Sequence, residues 1–130
     1  MNEITLAKIL IKVEDCLQSS QSSFEDKFYE AAVNRAYYAM FHAVQALLLV
    51  VKSTTKTPNG AHNKFRELFI KTGILDRELS TSLQRSFEKR QFSDYDYDEV
   101  LEEDAKESIL DAIIFVNATT QYLKENNFLK

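Results

Sequence analysis

The sequence predicts an all-α protein, an up-and-down antiparallel four-helix bundle with one additional short helix. Three observations predict it. The 130 residues hold only two glycines and one proline, which leaves few places for hairpins or tight turns. No segment alternates apolar and polar residues as a half-buried strand does. Apolar residues instead recur at three- and four-residue steps, the spacing of one helix face. At this length a single domain, residues 1–130, buries enough apolar surface to fold without disulfides or metals.

Leu6, Ile9, Leu10, Val13 and Leu17 form the apolar stripe of a first helix over about residues 2–19, with Lys8, Lys12, Glu14 and Asp15 between them. The run SSQSS, Ser19–Ser23, supplies hydroxyls that compete with helical hydrogen bonds and favour caps. A second helix is therefore expected from Phe24 to about Val51. Its second half is apolar on most sides, which makes it the central one. KSTTKTPNGAHN reads as a loop, because Pro58 lacks a donor and Asn59 and Gly60 tolerate positive φ. Phe65, Leu68 and Phe69 suggest a short third helix ending at Gly73. Asp76 can cap a fourth, whose face Leu79, Leu83 and Phe87 runs to roughly Arg90. The fifth, about Val100 to Asn126, opens on Glu102, Glu103 and Asp104, which suit its dipole. Ala105, Ile109, Ala112, Ile113, Val116 and Leu123 are its expected core face.

Composition narrows the function. Cys16 is the single cysteine, so neither an internal disulfide nor a cysteine-rich zinc cluster can form, and a reducing cytoplasm is the expected location. The N-terminus lacks a secretory pattern. The longest uncharged run, Ala36–Val51, is too short for a membrane span and contains His42 and Gln45. A net charge of −4 argues against a broad grip on nucleic acid or anionic lipid, so any such contact must be local. His42 and His62 lack the helical partners that metal sites use, and the two glycines are isolated, so no phosphate-cradling loop is expected. No metal or cofactor is expected.

Two places concentrate polar chemistry. Arg35, Tyr38 and His42 follow one another at three and four residues and share a helix face. Arg35 is either a structural arginine paired with carboxylates of a neighbouring helix or part of a groove. His42 reads as a hydrogen-bonded core or interface residue. The second place is KRQFSDYDYDE, Lys89–Glu99. On an unbroken helix Arg90 and Asp94 would form an i, i+4 pair, and Arg90 and Tyr95 would diverge by about 140°. A helix ending near Phe92 would instead let a turn through Ser93 and Asp94 bring Tyr95 and Tyr97 beside Arg90. The alternative is a solvated turn.

YEAAVNRAYYAMFHAVQALL, followed by AHNKFRELFIKTGILD and RQFSDYDY, resembles the HEPN domains, in particular their single-domain prokaryotic branch. The resemblance implies an antiparallel bundle that dimerises, often beside a minimal nucleotidyltransferase in a toxin and antitoxin pair. Many such toxins are metal-independent endoribonucleases whose motif is Arg, four to six residues, His, one residue and Tyr. Arg90 matches the Arg, Tyr95 stands in place of the His, and Tyr97 matches the trailing Tyr, which some partner enzymes modify with AMP. A His near pKa 6.5 can take a proton from a ribose hydroxyl, whereas a Tyr near 10 is almost wholly protonated at neutral pH, so Tyr95 weakens general-base cleavage.

The expected function is thus an RNA-directed HEPN protein with an Arg-x4-Tyr-x-Tyr motif. Arg90 would contact phosphate, Tyr95 would orient it or stack on a base, and Tyr97 would be the modification point. Asp94 and Asp96 oppose a phosphodiester there. The alternative is a non-catalytic module that binds a nucleotide or a partner protein in the same groove. A homodimer is expected, with no DNA and no membrane as partner.

Overall fold

The helices begin where a side chain or a backbone turn can satisfy the first N–H groups. In the computed structural model, residues 5–53, 55, 57–95 and 99–129 are described, with the side chains of residues 92–95 outside that description. Five α-helices appear among them: α1 (Leu6–Glu25), α2 (Tyr29–Val50), α3 (Pro58–Phe65), α4 (Arg77–Tyr95) and α5 (Glu102–Glu125). Thr5 Oγ1 accepts the Lys8 N–H at 3.3 Å to start α1, and Asp76 Oδ1 accepts the Glu78 N–H at 2.9 Å to start α4, as the sequence suggests for the latter. Asp104 Oδ2 accepts the Leu101 N–H at 3.3 Å ahead of α5. No described residue is in a strand.

Three boundaries differ from expectation. The serine run does not end the first helix. α1 continues to Glu25, and the turn falls at Asp26–Phe28, where Lys27 takes φ 65°. The serines are accommodated because α1 lies against α2: buried Ser20 donates its Oγ–H to the Ala32 carbonyl at 2.6 Å. The Lys52–Asn63 run is not all loop, since α3 starts at Pro58, a residue whose missing N–H costs nothing at the first helical position. Thr57 Oγ1 caps it by accepting the Gly60 N–H at 3.0 Å, and a Cβ on Gly60 would meet that oxygen at 2.8 Å. The third correction is α4, which passes Phe92 and continues to Tyr95. No glycine or proline interrupts residues 77–95, so nothing stops the helix where the sequence reading ends it.

Between α3 and α4 lies a π-helical turn, Arg66–Ile70, in which the Lys71 N–H reaches back to the Arg66 carbonyl at 2.8 Å. Gly73, at φ 77°, ends this segment, a conformation that glycine adopts without a Cβ penalty.

α2 is the axis of the molecule, packing against α1, α3, α4 and α5. Ala32, Ala36, Ala39, Ala43 and Ala46 are fully buried, and small side chains let neighbouring helices approach closely. Val44, Leu47, Leu48, Phe65, Leu83 and Phe115 fill the rest of the centre. Cys16 sits in this interior, where burial pushes its thiol pKa up and leaves it protonated and inert. α4 is held to α5 by charge. Arg85 makes a bidentate pair with Asp111 at 2.9 and 3.0 Å, and Lys89 bonds Glu107 and the Asp104 carbonyl. The bidentate geometry fixes the azimuth of α4, and with it the direction of its core-facing residues. No described helix is long and apolar enough to cross a membrane.

Candidate functional site

α2 has two unlike sides. Residues on the side of Ala36, Met40, Ala43 and Leu47 are fully buried, whereas Asn34, Arg35, Tyr38, Phe41, His42, Gln45 and Leu49 are all half-buried along the other. The second side carries the arginine, tyrosine and histidine that the sequence singles out. Arg35 does not pair with a carboxylate among the described residues. Its Nε and Nη2 donate to Asn34 Oδ1 at 3.3 and 3.0 Å, and its guanidinium lies over the Tyr38 ring, 5.3 Å from the centroid.

Arg90 reaches the same ring from α4. Its guanidinium carbon is 5.1 Å from the Tyr38 centroid and 5.7 Å from that of Tyr37. Arg35 of α2 and Arg90 of α4 therefore meet over the Tyr38 ring, and the aromatic surface at that meeting comes from α2. The turn expected beyond Phe92 does not form. On the continuous helix, positions 90 and 95 fall about 140° apart around the axis. Arg90 thus meets two tyrosines, and they are Tyr37 and Tyr38. Tyr97 and Asp96 lie outside the described residues, as do the side chains of Asp94 and Tyr95.

Tyr37 escapes a sequence reading, as does its partner. Its hydroxyl is 3.0 Å from His62 Nε2, and both side chains are buried, at 1% and 2% exposure. Phe87 packs 5.1 Å from the His62 ring and 5.5 Å from that of Tyr37, with Phe41 stacked on the other side of Tyr37 at 6.2 Å. Burial pushes the Tyr37 pKa up, opposed by Arg90, while burial and the charge of Arg66 push His62 down to about 4. At neutral pH the pair is a neutral phenol and a neutral imidazole joined by one hydrogen bond. It holds the Tyr37 ring under Arg90 and cannot exchange protons with a ligand from its buried position. The adjacent tyrosines at 37 and 38 are the one sequence signal that points toward it.

His42 is differently placed. It is half-buried beside Tyr38, with ring centroids 6.2 Å apart, and burial together with Lys12 and Arg35 lowers its pKa. It is therefore neutral at pH 7 and able to accept a proton or a hydrogen bond, next to the ring that carries both guanidinium groups. Among the described residues no three His, Cys, Asp or Glu side chains gather as a metal site requires.

Fold and site together define an all-helical domain whose central helix presents an arginine, an aromatic pair and a histidine to an arginine from the fourth helix. The sequence matches the HEPN domain family over residues 7–123, and the chain belongs to that family. It is 38% identical over 126 residues to the Methanocaldococcus jannaschii protein named "Putative toxin MJ0142", covering 96% of this chain and 86% of that one. A UPF0332 protein of Archaeoglobus fulgidus is 35% identical over 127 residues, covering 97% of this chain and 99% of that one. A UPF0332 protein of Thermotoga maritima is 32% identical, over 88% of this chain and 87% of its own.

Proposed function

We propose that this HEPN protein is the RNA-directed component of a toxin and antitoxin module, binding a phosphodiester beside Arg90 with little or no general-base cleavage. The observation that supports the reading best is the convergence of Arg35 and Arg90 on the Tyr38 ring, at 5.3 and 5.1 Å. Two guanidinium groups beside stackable aromatic surface are the chemistry that a nucleotide's phosphate and base require. The M. jannaschii relative whose name calls it a toxin supports the module. Arg90 stabilises phosphoryl charge, Tyr95, on a different side of the continuous α4, takes no part beside it, and Tyr97 is the point at which a partner nucleotidyltransferase would add AMP. A second copy of the chain, pairing through the half-buried side of α2, completes the reading.

The protonation states favour weak cleavage. Tyr37 and His62 are buried and joined as neutral groups, and half-buried His42, neutral at pH 7, is a weaker base than an ordinary imidazole. Induced expression of the wild-type chain in a bacterial host is expected to slow growth, and Arg90→Ala to relieve the arrest. Equal growth with both proteins would end the toxin reading, whereas an arrest that Arg90→Ala relieves while the purified protein leaves RNA intact would fit binding without cleavage. A non-catalytic nucleotide-binding module would then remain, and calorimetry with ATP and with RNA would report binding without turnover.

A further inference from the structure

The outer face of α4 carries a second gathering of cations. A groove of about 610 Å³ is lined by Arg66, Arg77, Ser80, Thr81, Gln84 and Arg85, with Glu88 at its far end. Arg85 is committed to Asp111 and Glu107. Among the described residues neither Arg66 nor Arg77 forms an ion pair, and the carboxylate next along the chain from Arg77, Glu78, acts on Arg85. Arg66 is held entirely by neutral acceptors, donating to Asn63 Oδ1 at 3.1 Å, Ser80 Oγ at 3.3 Å and Gln84 Oε1 at 2.8 Å. Those bonds fix the guanidinium without cancelling its charge. Glu88 keeps its charge, because its partner, Gln84 Nε2, is a neutral donor at 3.0 Å, and that same amide links it to Arg66. It also stands three helical turns, about 16 Å, from Arg77.

The π-helical turn explains how Arg66 arrives there. It begins at Arg66, and the extra residue it accommodates rotates the α3 residues relative to those beyond Ile70. An ordinary α-helix interior would have been the lower-energy choice, and such insertions recur at functional sites.

We propose that Arg66 and Arg77, with the Ser80 and Thr81 hydroxyls, form a phosphate-binding groove distinct from the Arg90 site. The shared ligand chemistry is a phosphate oxygen, supplied either by the backbone of an RNA strand or by a free nucleotide; only the RNA source rests on the function proposed above. A guanidinium fixed by neutral partners and an exposed one at the start of α4 set two cations along the groove.

Arg77→Glu is the decisive variant, because Arg77 is exposed at the first position of α4, where a carboxylate suits the helix dipole. Arg66→Gln also removes a tether between the π turn and α4. Position 77 lies about 20 Å along α4 from Arg90, beyond a physiological screening length, so the substitution reports on its own surroundings. The experiment pairs binding of a labelled oligouridylate, at several salt concentrations, with NMR titrations using inorganic phosphate and AMP. Expected are an affinity about tenfold weaker in Arg77→Glu, a salt dependence shallower by about 0.7 for each phosphate that is no longer neutralised, and amide shifts at Ser80, Thr81 and Gln84 in the wild type. Amide shifts with phosphate or AMP but no oligouridylate binding would keep the groove, assign it a small ligand and overturn the RNA reading. Oligouridylate bound equally by both proteins, without amide shifts, would overturn the groove and keep the RNA reading. Silence with every probe would overturn both.

Discussion

The two sides of α2 are built on opposite principles. On one, Ala32, Ala36, Ala43 and Leu47 are completely buried, and stability comes from close packing, which tolerates no change in volume. On the other, Arg35, Tyr38 and His42 remain half-buried, and their contacts are cation–ring and ring–ring approaches of 5 to 6 Å. Between them stands Tyr37, which is buried like the first side and polar like the second. This helix thus separates holding the fold from presenting chemistry within a single turn, with the Tyr37–His62 hydrogen bond as the boundary.

The largest effect should come from the packed side. Leu47→Ala removes a fully buried side chain from the middle of α2 and is expected to destabilise the protein by about 2–5 kcal/mol, read by urea denaturation. A cost below about 1 kcal/mol would mean that the two sides are less different than their burial indicates.

The boundary should show itself through pH. His62 titrates near 6.5 when unfolded and at about 4 when folded, so between those values the unfolded chain binds more protons. Its contribution to stability is complete above pH 6.5, falls as the pH falls toward 4, and is lost below. The full loss amounts to about 3 kcal/mol. His62→Gln should be less stable at pH 7 but should lose this part of the slope between pH 7 and 4. Identical slopes in the two proteins would show that the imidazole is not held neutral by its surroundings.

How far these features are legible in the sequence depends on their range. The helices, the Leu79 and Leu83 face of α4, most of the expected face of α5 and the Asp76 cap rest on residues within one or two turns of each other, and the spacing reveals them. On α5, Ile113 and Val116 are half-buried instead, and Phe115, outside the expected face, is fully buried. The boundary at Ser19–Ser23 escapes a local reading because local preference is neutral there and a tertiary contact decides, whereas at Pro58 the signals are local, a proline at the first helical position capped by Thr57, and they read equally well as a loop. Ser20 stays helical because it bonds Ala32 across the α1–α2 interface. The site is half legible. Arg90 and the Arg35, Tyr38 and His42 face are visible as motif and periodicity, but their meeting is not. Tyr37 and His62 are 25 residues apart, and Arg66 bonds Ser80 and Gln84, 14 and 18 residues on, across a π turn. Neither relation leaves a local pattern.

The smallest stability effect is expected on the half-buried side, and it tests the comparison most sharply. Arg35→Ala removes one cation from the Tyr38 ring and two hydrogen bonds to the Asn34 side chain, yet the released amide is half-buried and can turn to water. An exposed cation–ring contact is worth about 0.5–1 kcal/mol. Arg90 remains on the same ring, and removing one of two like charges relieves their repulsion, so the net cost should fall near or below the lower figure. Thermal denaturation of Arg35→Ala should therefore resemble that of the wild type, while its binding of anionic ligands falls. If Arg35→Ala instead destabilised the protein as much as Leu47→Ala, Arg35 would be part of the scaffold, and the open side of α2 would lose its claim to be a surface kept for a ligand.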